Sequence, residues 1–314
     1  MNLEILVPVF NEEKSIEVFL VQYAEVIQVI ELQYMIDVKI TFLDNASTDS
    51  TYQQIEILQN VSKTPVGAYK WVRNYGVMTS IYGGLIRSES DIAYVVDVDL
   101  QEPPQLLLIL IEEFLKGVSF VSGSRNKRIE PLALTTFRNI FRRVYRALSA
   151  ENSEPVESGA WLLDKAIIED LRVNPPQTTY LAGILQSRNY SRKTIQYSRT
   201  TRKMGESKFG LKKYFSYAFE GLVQHPLRFM RMFLTASLLT ALTLVSLVAV
   251  IVIEKVFGLS YIPNGITLLF ATQVLSASVI IVLLGVVGEY VARIFKSQSR
   301  LEIPVAIKSL NRQV

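Results

Sequence analysis

Two uncharged apolar blocks limit what this 314-residue chain can fold into. They cover residues 232–253 and 266–287, and each holds 22 residues without a charged side chain. A helix of that length spans about 33 Å, enough for a bilayer core of about 30 Å. Buried core helices are the alternative, but those usually carry a polar stripe. The blocks therefore predict two membrane-spanning helices, joined by a connector rich in turn-forming residues.

Lysine and arginine flank the two blocks unevenly, and this predicts an orientation. Residues 188–231 contain eleven Lys or Arg and two acidic residues, residues 288–314 contain five and two, and the connector 254–265 contains one lysine. Positive charge stays preferentially on the cytoplasmic side, so both termini are expected there. The formal net charge is only +4, so this basicity indicates a membrane partner and no nucleic acid.

The residues before the apolar blocks alternate short apolar runs with helical patterns. Runs at 3–9, 38–43 and 92–98 predict buried strands, and a helical pattern follows each of the first two. This alternation predicts an α/β fold with a mostly parallel sheet, in which ligands bind at the carboxyl ends of the strands. Polar clusters stand at those ends, at residues 10–12, 44–49 and 97–102.

The sharpest local signal is Asp97-Val98-Asp99-Leu100-Gln101 at the end of the third apolar run. Two carboxylates and an amide supply the oxygen ligands that Mg²⁺ or Mn²⁺ prefers. The alternative is that the acidic pair caps the following helix. Placement directly after a strand favours the metal interpretation.

Composition excludes several other chemistries. The chain has no cysteine and one histidine, His225, so disulfides, thiolate zinc sites, thiol nucleophiles and histidine metal clusters are absent. Neither a phosphate-loop motif nor the glycine fingerprint of dinucleotide-binding folds occurs. What remains is chemistry by carboxylates, basic side chains and a hard metal ion.

Six motifs in order resemble those of family 2 glycosyltransferases, and the resemblance covers nearly the whole chain. The subgroup resembled is the polyprenyl-phosphate glycosyltransferases, which are similar to dolichyl-phosphate mannose synthase and carry two C-terminal spans. The motifs are Ile5-Leu-Val-Pro-Val-Phe-Asn-Glu-Glu, Leu43-Asp-Asn-Ala-Ser-Thr-Asp, Arg73-Asn-Tyr-Gly, Asp97-Val-Asp-Leu-Gln-Glu-Pro-Pro, Arg199-x-x-Arg-x-x-Gly-Glu-Ser-Lys and Gly288-Glu-Tyr-x-x-Arg.

The resemblance implies a GT-A catalytic domain over residues 1–210 on the cytoplasmic side of the inner membrane. An amphipathic segment (211–231), a transmembrane hairpin (232–287) and a cytosolic tail (288–314) would follow. The implied reaction is inverting transfer of a sugar from a nucleotide-sugar donor, UDP-glucose-like, to undecaprenyl phosphate. The product would be a lipid-linked monosaccharide for cell-envelope glycan modification.

The resemblance also implies roles for individual residues. The metal, Mg²⁺ or Mn²⁺, falls to Asp97, Asp99 and Gln101, and the catalytic roles fall to Asp99 and Glu157. The donor nucleotide would be bound by Pro8, Phe10, Glu12, Asp44, Asp97, Arg202 and Lys208, and the acceptor phosphate by Arg125, Arg138 and Arg199. A solvated basic helix face is the alternative for Arg138, and attraction to lipid headgroups is the alternative for Arg199, Arg202 and Lys208.

Departures from the family pattern keep other functions open. Asn45 stands where the usual Asp-Asp pair has its second acid, and Ala160 and Leu162 replace two charged residues of glucosyltransferase-like members. Asn45 should affect base binding through Asp44 little, whereas Ala160 and Leu162 make a non-catalytic membrane scaffold an alternative. A processive polysaccharide synthase is a second alternative, although Gln186-Ser-Arg-Asn-Tyr lacks the Trp of the usual Gln-x-x-Arg-Trp motif. Gly285 and Gly288 offer a close-packing face in the second apolar block, so homo-oligomerisation is expected.

Overall fold

The computed structural model describes residues 1–125, 160–176, 181, 184–185, 188–197, 226–257, 264–298 and 302–310. These residues divide between two compact units. The first unit holds β1 (Asn2–Val9), α1 (Ile16–Tyr34), β2 (Asp37–Asp44), α2 (Thr51–Val61), β3 (Val66–Trp71), α3 (Val77–Leu85), β4 (Ile92–Val95), α4 (Leu106–Leu115), β5 (Phe120–Arg125), β6 (Trp161–Asp164), α5 (Lys165–Val173), β7 (Arg192–Tyr197) and β8 (Ala306–Leu310). The second unit holds α6 (Pro226–Val256) and α7 (Asn264–Gln298).

The strands of the first unit form one sheet in the order β7-β5-β6-β4-β1-β2-β3-β8. The pairs β1–β2, β1–β4, β2–β3 and β5–β7 are parallel, whereas β6 and β8 pair antiparallel with their neighbours. The predicted α/β fold with a mostly parallel sheet is confirmed. Because β4, β1, β2 and β3 run in the same direction, the loops at their carboxyl ends lie along one edge of the sheet.

Helices cover both faces of the sheet, which explains why β1 is an almost continuous apolar run. Ile5 and Val7 pack into one core cluster with Phe19 of α1, and the intervening Leu6 packs into a second cluster with Ile81 of α3. Successive strand residues point to opposite faces, so a strand covered on both sides needs apolar residues at every position. The central strands are therefore fixed between two dry layers.

An edge strand follows the apolar helices in the sequence. Residues 306–310 pair antiparallel with β3, and α7 continues to Gln298, beyond the apolar block. The sequence predicts only a cytosolic tail over residues 288–314, with no strand in it. The domain boundaries drawn from the sequence stay predictions, but residues 302–310 belong to the first unit.

The second unit is a pair of helices long and apolar enough to cross a membrane. The apolar stretches run over Leu234–Glu254 and Leu269–Val291, within a few residues of the predicted blocks. Large apolar side chains such as Leu239 and Leu269 are exposed on the helix surfaces, as expected for side chains that meet lipid. The prediction of two apolar C-terminal helices is confirmed.

Gly285 brings the two helices close together. A Cβ atom at Gly285 would lie 2.8 Å from Ser237 Oγ and 3.2 Å from Leu234 Cδ1 of α6. The small face predicted to join copies of the chain is thus filled, at Gly285, by the neighbouring helix of the same chain. Homo-oligomerisation stays a prediction, and Gly285 no longer supports it.

Candidate functional site

The polar clusters predicted to form a site do meet at one edge of the sheet. Asp44 is the last residue of β2 and pairs in register with Val9 of β1, and Val95 at the end of β4 pairs with neighbouring β6. The loops after β1, β2, β3 and β4 carry the remaining polar residues. Carboxyl ends of parallel strands are where α/β sheets place their ligand sites.

Asp44 is the most buried acid of this edge. Its side chain is 0% exposed, Oδ1 accepts a hydrogen bond from Ser47 N at 2.9 Å, and Lys70 Nζ lies 4.0 Å from Oδ2. Within the described residues Oδ2 accepts no hydrogen bond. An unsatisfied buried carboxylate oxygen is costly, so a ligand N–H that reached Oδ2 would recover that cost.

Asn45 ties the loop after β2 to the loop after β3. Its side-chain Nδ2 donates to Asn74 Oδ1 at 2.9 Å, and its Oδ1 accepts from Tyr75 N at 2.9 Å. An amide can donate and accept at once, whereas an ionised carboxylate only accepts. The replacement of an acid at position 45 is therefore explained by these two bonds, which the sequence did not reveal.

The loop after β1 is fastened to the loop after β2 by backbone donors. Asn11 N donates to Ser47 Oγ at 3.0 Å, Glu12 N donates to Thr51 Oγ1 at 2.8 Å, and Thr48 N donates to Asn11 Oδ1 at 2.8 Å. Asn11 has φ of 55°, a left-handed conformation that asparagine tolerates better than most residues. The two loops form one rigid wall.

Three residues on the first strand and its loop are predicted to bind the donor nucleotide, and one of them has an exposed side chain. Phe10 is 44% exposed and lies beside the fastened loops. Pro8 is buried inside β1, and Glu12 Oε2 accepts from Ser15 Oγ at 2.6 Å before the start of α1. An exposed ring is available for stacking on a planar base.

Asp97 and Asp99 are both partly exposed, whereas Val96 and Val98 between and before them are buried. The alternation turns both carboxylates away from the core. Gln101 N donates to Asp99 Oδ1 at 3.2 Å, and Leu100 between them has φ of 54°. The chain therefore makes a tight turn at Leu100, and one short segment carries Asp97, Asp99 and Gln101.

These oxygen atoms fit a hard divalent ion whose remaining ligands come from a substrate. In the described part of the chain no cluster of three or more His, Cys, Asp or Glu side chains forms a complete metal cage. Magnesium and manganese are commonly held by one or two carboxylates together with substrate phosphates. Asp97 and Asp99, with the Gln101 amide, match that pattern.

A group of buried tyrosines lies next to this turn and contacts Glu102, the residue that follows Gln101. Tyr197 of β7 donates to Glu102 Oε1 at 2.8 Å, and Glu102 is almost fully buried. Burial raises the pKa of Tyr23 and of Tyr94, so both phenols stay protonated. The sequence held no local signal for this group, because Tyr197 and Glu102 are 95 positions apart.

The other predicted site residues are distributed as follows. Arg125 is the last residue of β5, next to Tyr197 in the parallel register of β7. Ala160 and Leu162 are fully buried in the same core cluster as Val121, so both of these departures from the resembled pattern serve core packing. The residues that lie outside the described ranges are Arg138, Glu157, Arg199, Arg202 and Lys208.

Comparison with known proteins places this arrangement among sugar-transferring enzymes. The sequence profile of the family Glycosyl transferase family 2 matches residues 4–172. The chain is 28% identical over 297 residues to the bactoprenol glucosyl transferase of Shigella phage SfX, covering 94% of this chain and 95% of that protein. It is 27% identical over 311 residues to the uncharacterized glycosyltransferase YkcC of Bacillus subtilis (strain 168), covering 97% and 93%.

A third relative carries a different sugar in its name. It is the undecaprenyl-phosphate 4-deoxy-4-formamido-L-arabinose transferase of Proteus mirabilis (strain HI4320), 24% identical over 303 residues and covering 94% of this chain and 89% of that protein. All three similarities cover at least 94% of this chain.

Proposed function

The chain belongs to glycosyl transferase family 2, and we propose that it transfers a sugar from a nucleotide-sugar donor to undecaprenyl phosphate. The observation that carries the proposal is that one chain combines an acidic site at the carboxyl ends of parallel strands with two helices of membrane-spanning length. Relatives named for bactoprenol and undecaprenyl phosphate match the chain along 94% of its length. The product is a lipid-linked monosaccharide for cell-envelope glycans.

The donor nucleotide is held along the edge of the sheet. Phe10 stacks on the base, the unsatisfied Oδ2 of Asp44 accepts one of its N–H groups, and Arg202 and Lys208 bind the diphosphate. Asp97, Asp99 and Gln101 would hold Mg²⁺ or Mn²⁺ beside the diphosphate. When bound, the ion offsets the negative charge that grows on the leaving nucleoside diphosphate.

The transfer is a single displacement with inversion. A phosphate oxygen of the lipid attacks the anomeric carbon, and the new C–O bond forms as the bond to the nucleoside diphosphate breaks and its electron pair leaves with that group. The nucleophile is already anionic at neutral pH, so catalysis depends mainly on positioning. Arg125, Arg138 and Arg199 bind the acceptor phosphate, and Glu157 orients the acceptor or acts as base.

The reaction would take place at the inner membrane, and the two apolar helices support this part of the proposal. In the proposed orientation the catalytic domain and both termini are cytoplasmic, as the excess of Lys and Arg outside the connector favours. Association of several chains in the membrane brings their acceptor sites to a common lipid surface. Crosslinking in native membranes that yields only monomers would remove the oligomer from the proposal.

A catalytically weakened scaffold of the same fold is the second candidate. The observation that favours it is that Ala160 and Leu162 are buried core residues, so the strand that begins at Trp161 presents no charge at these positions. Metal-dependent nucleotide binding without any turnover would support this candidate.

The test is transfer of radiolabelled sugar from a panel of UDP and GDP donors to undecaprenyl phosphate in detergent. The full chain is assayed with Mn²⁺, with chelator, and as Asp99→Ala. Asp91→Ala is the matched control, because Asp91 lies at the opposite end of β4, where it accepts a hydrogen bond from Asn2 N at 3.0 Å. We expect labelled lipid from the wild type and Asp91→Ala and none with chelator or Asp99→Ala. No product from any donor would refute transfer to this acceptor.

A further inference from the structure

Residues 302–310, here called the C-terminal strap, lie across the end of β3. In antiparallel register Lys308 faces Lys70 and Ala306 faces Trp71, and Val72 N donates to Val305 O at 2.9 Å. The strap therefore continues past the paired strands to the point where the chain leaves β3 for the Arg73-Asn74-Tyr75-Gly76 loop.

Two contacts join the strap to that loop. Glu302 Oε2 accepts from Arg73 Nη2 at 2.5 Å, and Val305 N donates to Tyr75 OH at 3.4 Å. The Arg73 guanidinium also stacks on the Tyr75 ring, 4.4 Å from its centroid. One side chain of the strap thus fixes the arginine, and the arginine fixes the tyrosine.

The strap itself is held independently of the loop. Arg87 of the segment after α3 donates from Nη2 to Pro304 O at 2.7 Å and from Nη1 to Gly83 O at 2.9 Å. Pro304 is buried. Glu302 therefore projects from a fixed backbone, which is what a positioning residue needs.

The loop that receives these contacts leads to the buried acid of the site. Asn74 Oδ1 accepts from Asn45 Nδ2, and Tyr75 N donates to Asn45 Oδ1, both at 2.9 Å. Asn45 is the direct neighbour of Asp44, whose Oδ2 accepts no hydrogen bond within the described residues. A continuous series of contacts thus runs from Glu302 through Arg73 and Tyr75 to Asn45.

We propose that Glu302 is a positioning residue for the nucleotide-binding side of the site, acting through the Arg73–Tyr75 pair on Asn45 and Asp44. The inference rests on the proposed function for the class of ligand, a nucleoside diphosphate. It gives the strap, which follows the second apolar helix in sequence, an indirect role in donor binding.

The experiment measures the dissociation constants of UDP and GDP, each with Mn²⁺, by calorimetry on the full chain in detergent. The variants are Glu302→Gln, Tyr75→Phe and the conservative Glu302→Asp, which keeps the charge. Lys308→Gln is the matched control, because Lys308 belongs to the same strap but pairs with Glu56, 3.9 Å away on α2. All these side chains except Tyr75 are exposed, so the variants are expected to fold, and the Tm of each is recorded.

We expect Glu302→Gln to weaken nucleotide binding about two- to fivefold at low salt, the range for an exposed ion pair, with Tm unchanged. Tyr75→Phe should weaken binding less, because it keeps the ring beside Arg73 and the backbone N–H that donates to Asn45 and loses only the hydroxyl that accepts from Val305 N. Glu302→Asp should bind within about twofold of wild type, and Lys308→Gln should equal it. The loss of nucleotide affinity in Glu302→Gln should be smaller at about 0.5 M NaCl, because salt screens interactions between exposed charges.

Wild-type affinity in Glu302→Gln, or an equal loss in Lys308→Gln, would overturn the inference. Failure of the wild type to bind either nucleotide would overturn both the inference and the proposed function. Nucleotide binding without sugar transfer would count against the proposed transfer but not against this inference, because the comparison of variants still decides the role of Glu302.

Discussion

At the scale of single residues, Asp44 is where burial and charge conflict most directly. Its carboxylate is removed from solvent, yet one oxygen accepts no hydrogen bond within the described residues and the nearest cation is 4.0 Å away. Burial of a charge without full pairing costs folding free energy, and such a cost is commonly tolerated where a ligand supplies the missing bond. This conflict can be tested by removing the charge while keeping the shape.

We expect Asp44→Asn to reduce the affinity for a nucleoside diphosphate about ten- to hundredfold, the size of a lost hydrogen bond to a charged group. The Tm should stay the same or rise, because a buried and incompletely paired charge is gone and Oδ1 still accepts from Ser47 N. Calorimetric titration and thermal unfolding check the two outcomes. Asp37→Asn, at the exposed opposite end of β2, is the control. Unchanged affinity in Asp44→Asn would show that Asp44 does not contact the ligand.

The environment of Asp49 predicts how low pH affects the stability of the joined loops after β1 and β2. Burial alone would raise the pKa of Asp49, but hydrogen bonds from the hydroxyl and N–H of Thr51 and from Glu13 N outweigh it, so the pKa is lowered. The native state then holds the proton less tightly than the unfolded chain. The contribution of the ionised Asp49 carboxylate to folding stability is complete above the ordinary Asp pKa of about 3.9. It is lost as the pH falls through the lowered pKa of the native state.

The wild type should therefore lose more Tm than Asp49→Asn between about pH 5 and pH 3. Thermal unfolding of both proteins in detergent across that range measures the difference. Parallel pH profiles would mean that the bonds to Asp49 do not stabilise the fold.

The acids of the site could be predicted because each follows a buried apolar run. Asp44 and Asp97 stand where a strand ends, so sequence position alone puts them at the functional edge. Tyr197 and Glu102 could not be paired in advance, because their contact depends on β7 lying beside β5. Asn45 was predicted only as the replacement of a second acid, and the positions of Asn74 and Tyr75 show that its amide joins two loops.

At the scale of elements, the same logic separates the strands that were predicted from those that were missed. β1, β2 and β4 are covered on both faces and show as apolar runs. β8 has three exposed residues in five, and its place depends on backbone hydrogen bonds to β3, which carry no sequence pattern. β6 was missed as a strand, and its Leu162 was interpreted as the absence of a charge.

The attachment of β8 depends on a glycine in β3. A Cβ atom at Gly67 would lie 2.8 Å from the carbonyl oxygen of Leu310, a backbone atom that cannot swing aside. Gly67→Ala should therefore push β8 off the sheet. We expect amide exchange at residues 306–310 to accelerate at least about fivefold, in line with the usual cost of overpacking.

Hydrogen exchange with mass spectrometry follows those amides. Ser309→Ala serves for comparison, since Ser309 is exposed on the same strand. Equal protection of these amides in Gly67→Ala and wild type would mean that β3 and β8 accommodate the added methyl group and stay paired.

At the scale of the whole molecule, the charge distribution predicts how the chain is threaded through the membrane. The chain contains no cysteine, so one introduced cysteine is its only thiol. Ser309→Cys should react with a membrane-impermeant maleimide only after spheroplasts are broken, and Ser260→Cys, in the connector, should react in intact spheroplasts. The reverse pattern would contradict the orientation.

The apolar helices lie in the sequence between β7 and β8, two strands of one sheet. During synthesis β3 leaves the ribosome long before β8, so its edge waits until both helices have emerged and can enter the bilayer. A soluble fragment ending before Pro226 would keep that edge open, with unpaired N–H and C=O groups that template aggregation. If the two apolar helices span the membrane as proposed, their insertion and the completion of the catalytic sheet are successive stages of a single folding process, and attempts to express the sheet alone should supply residues 302–310 in trans or by fusion.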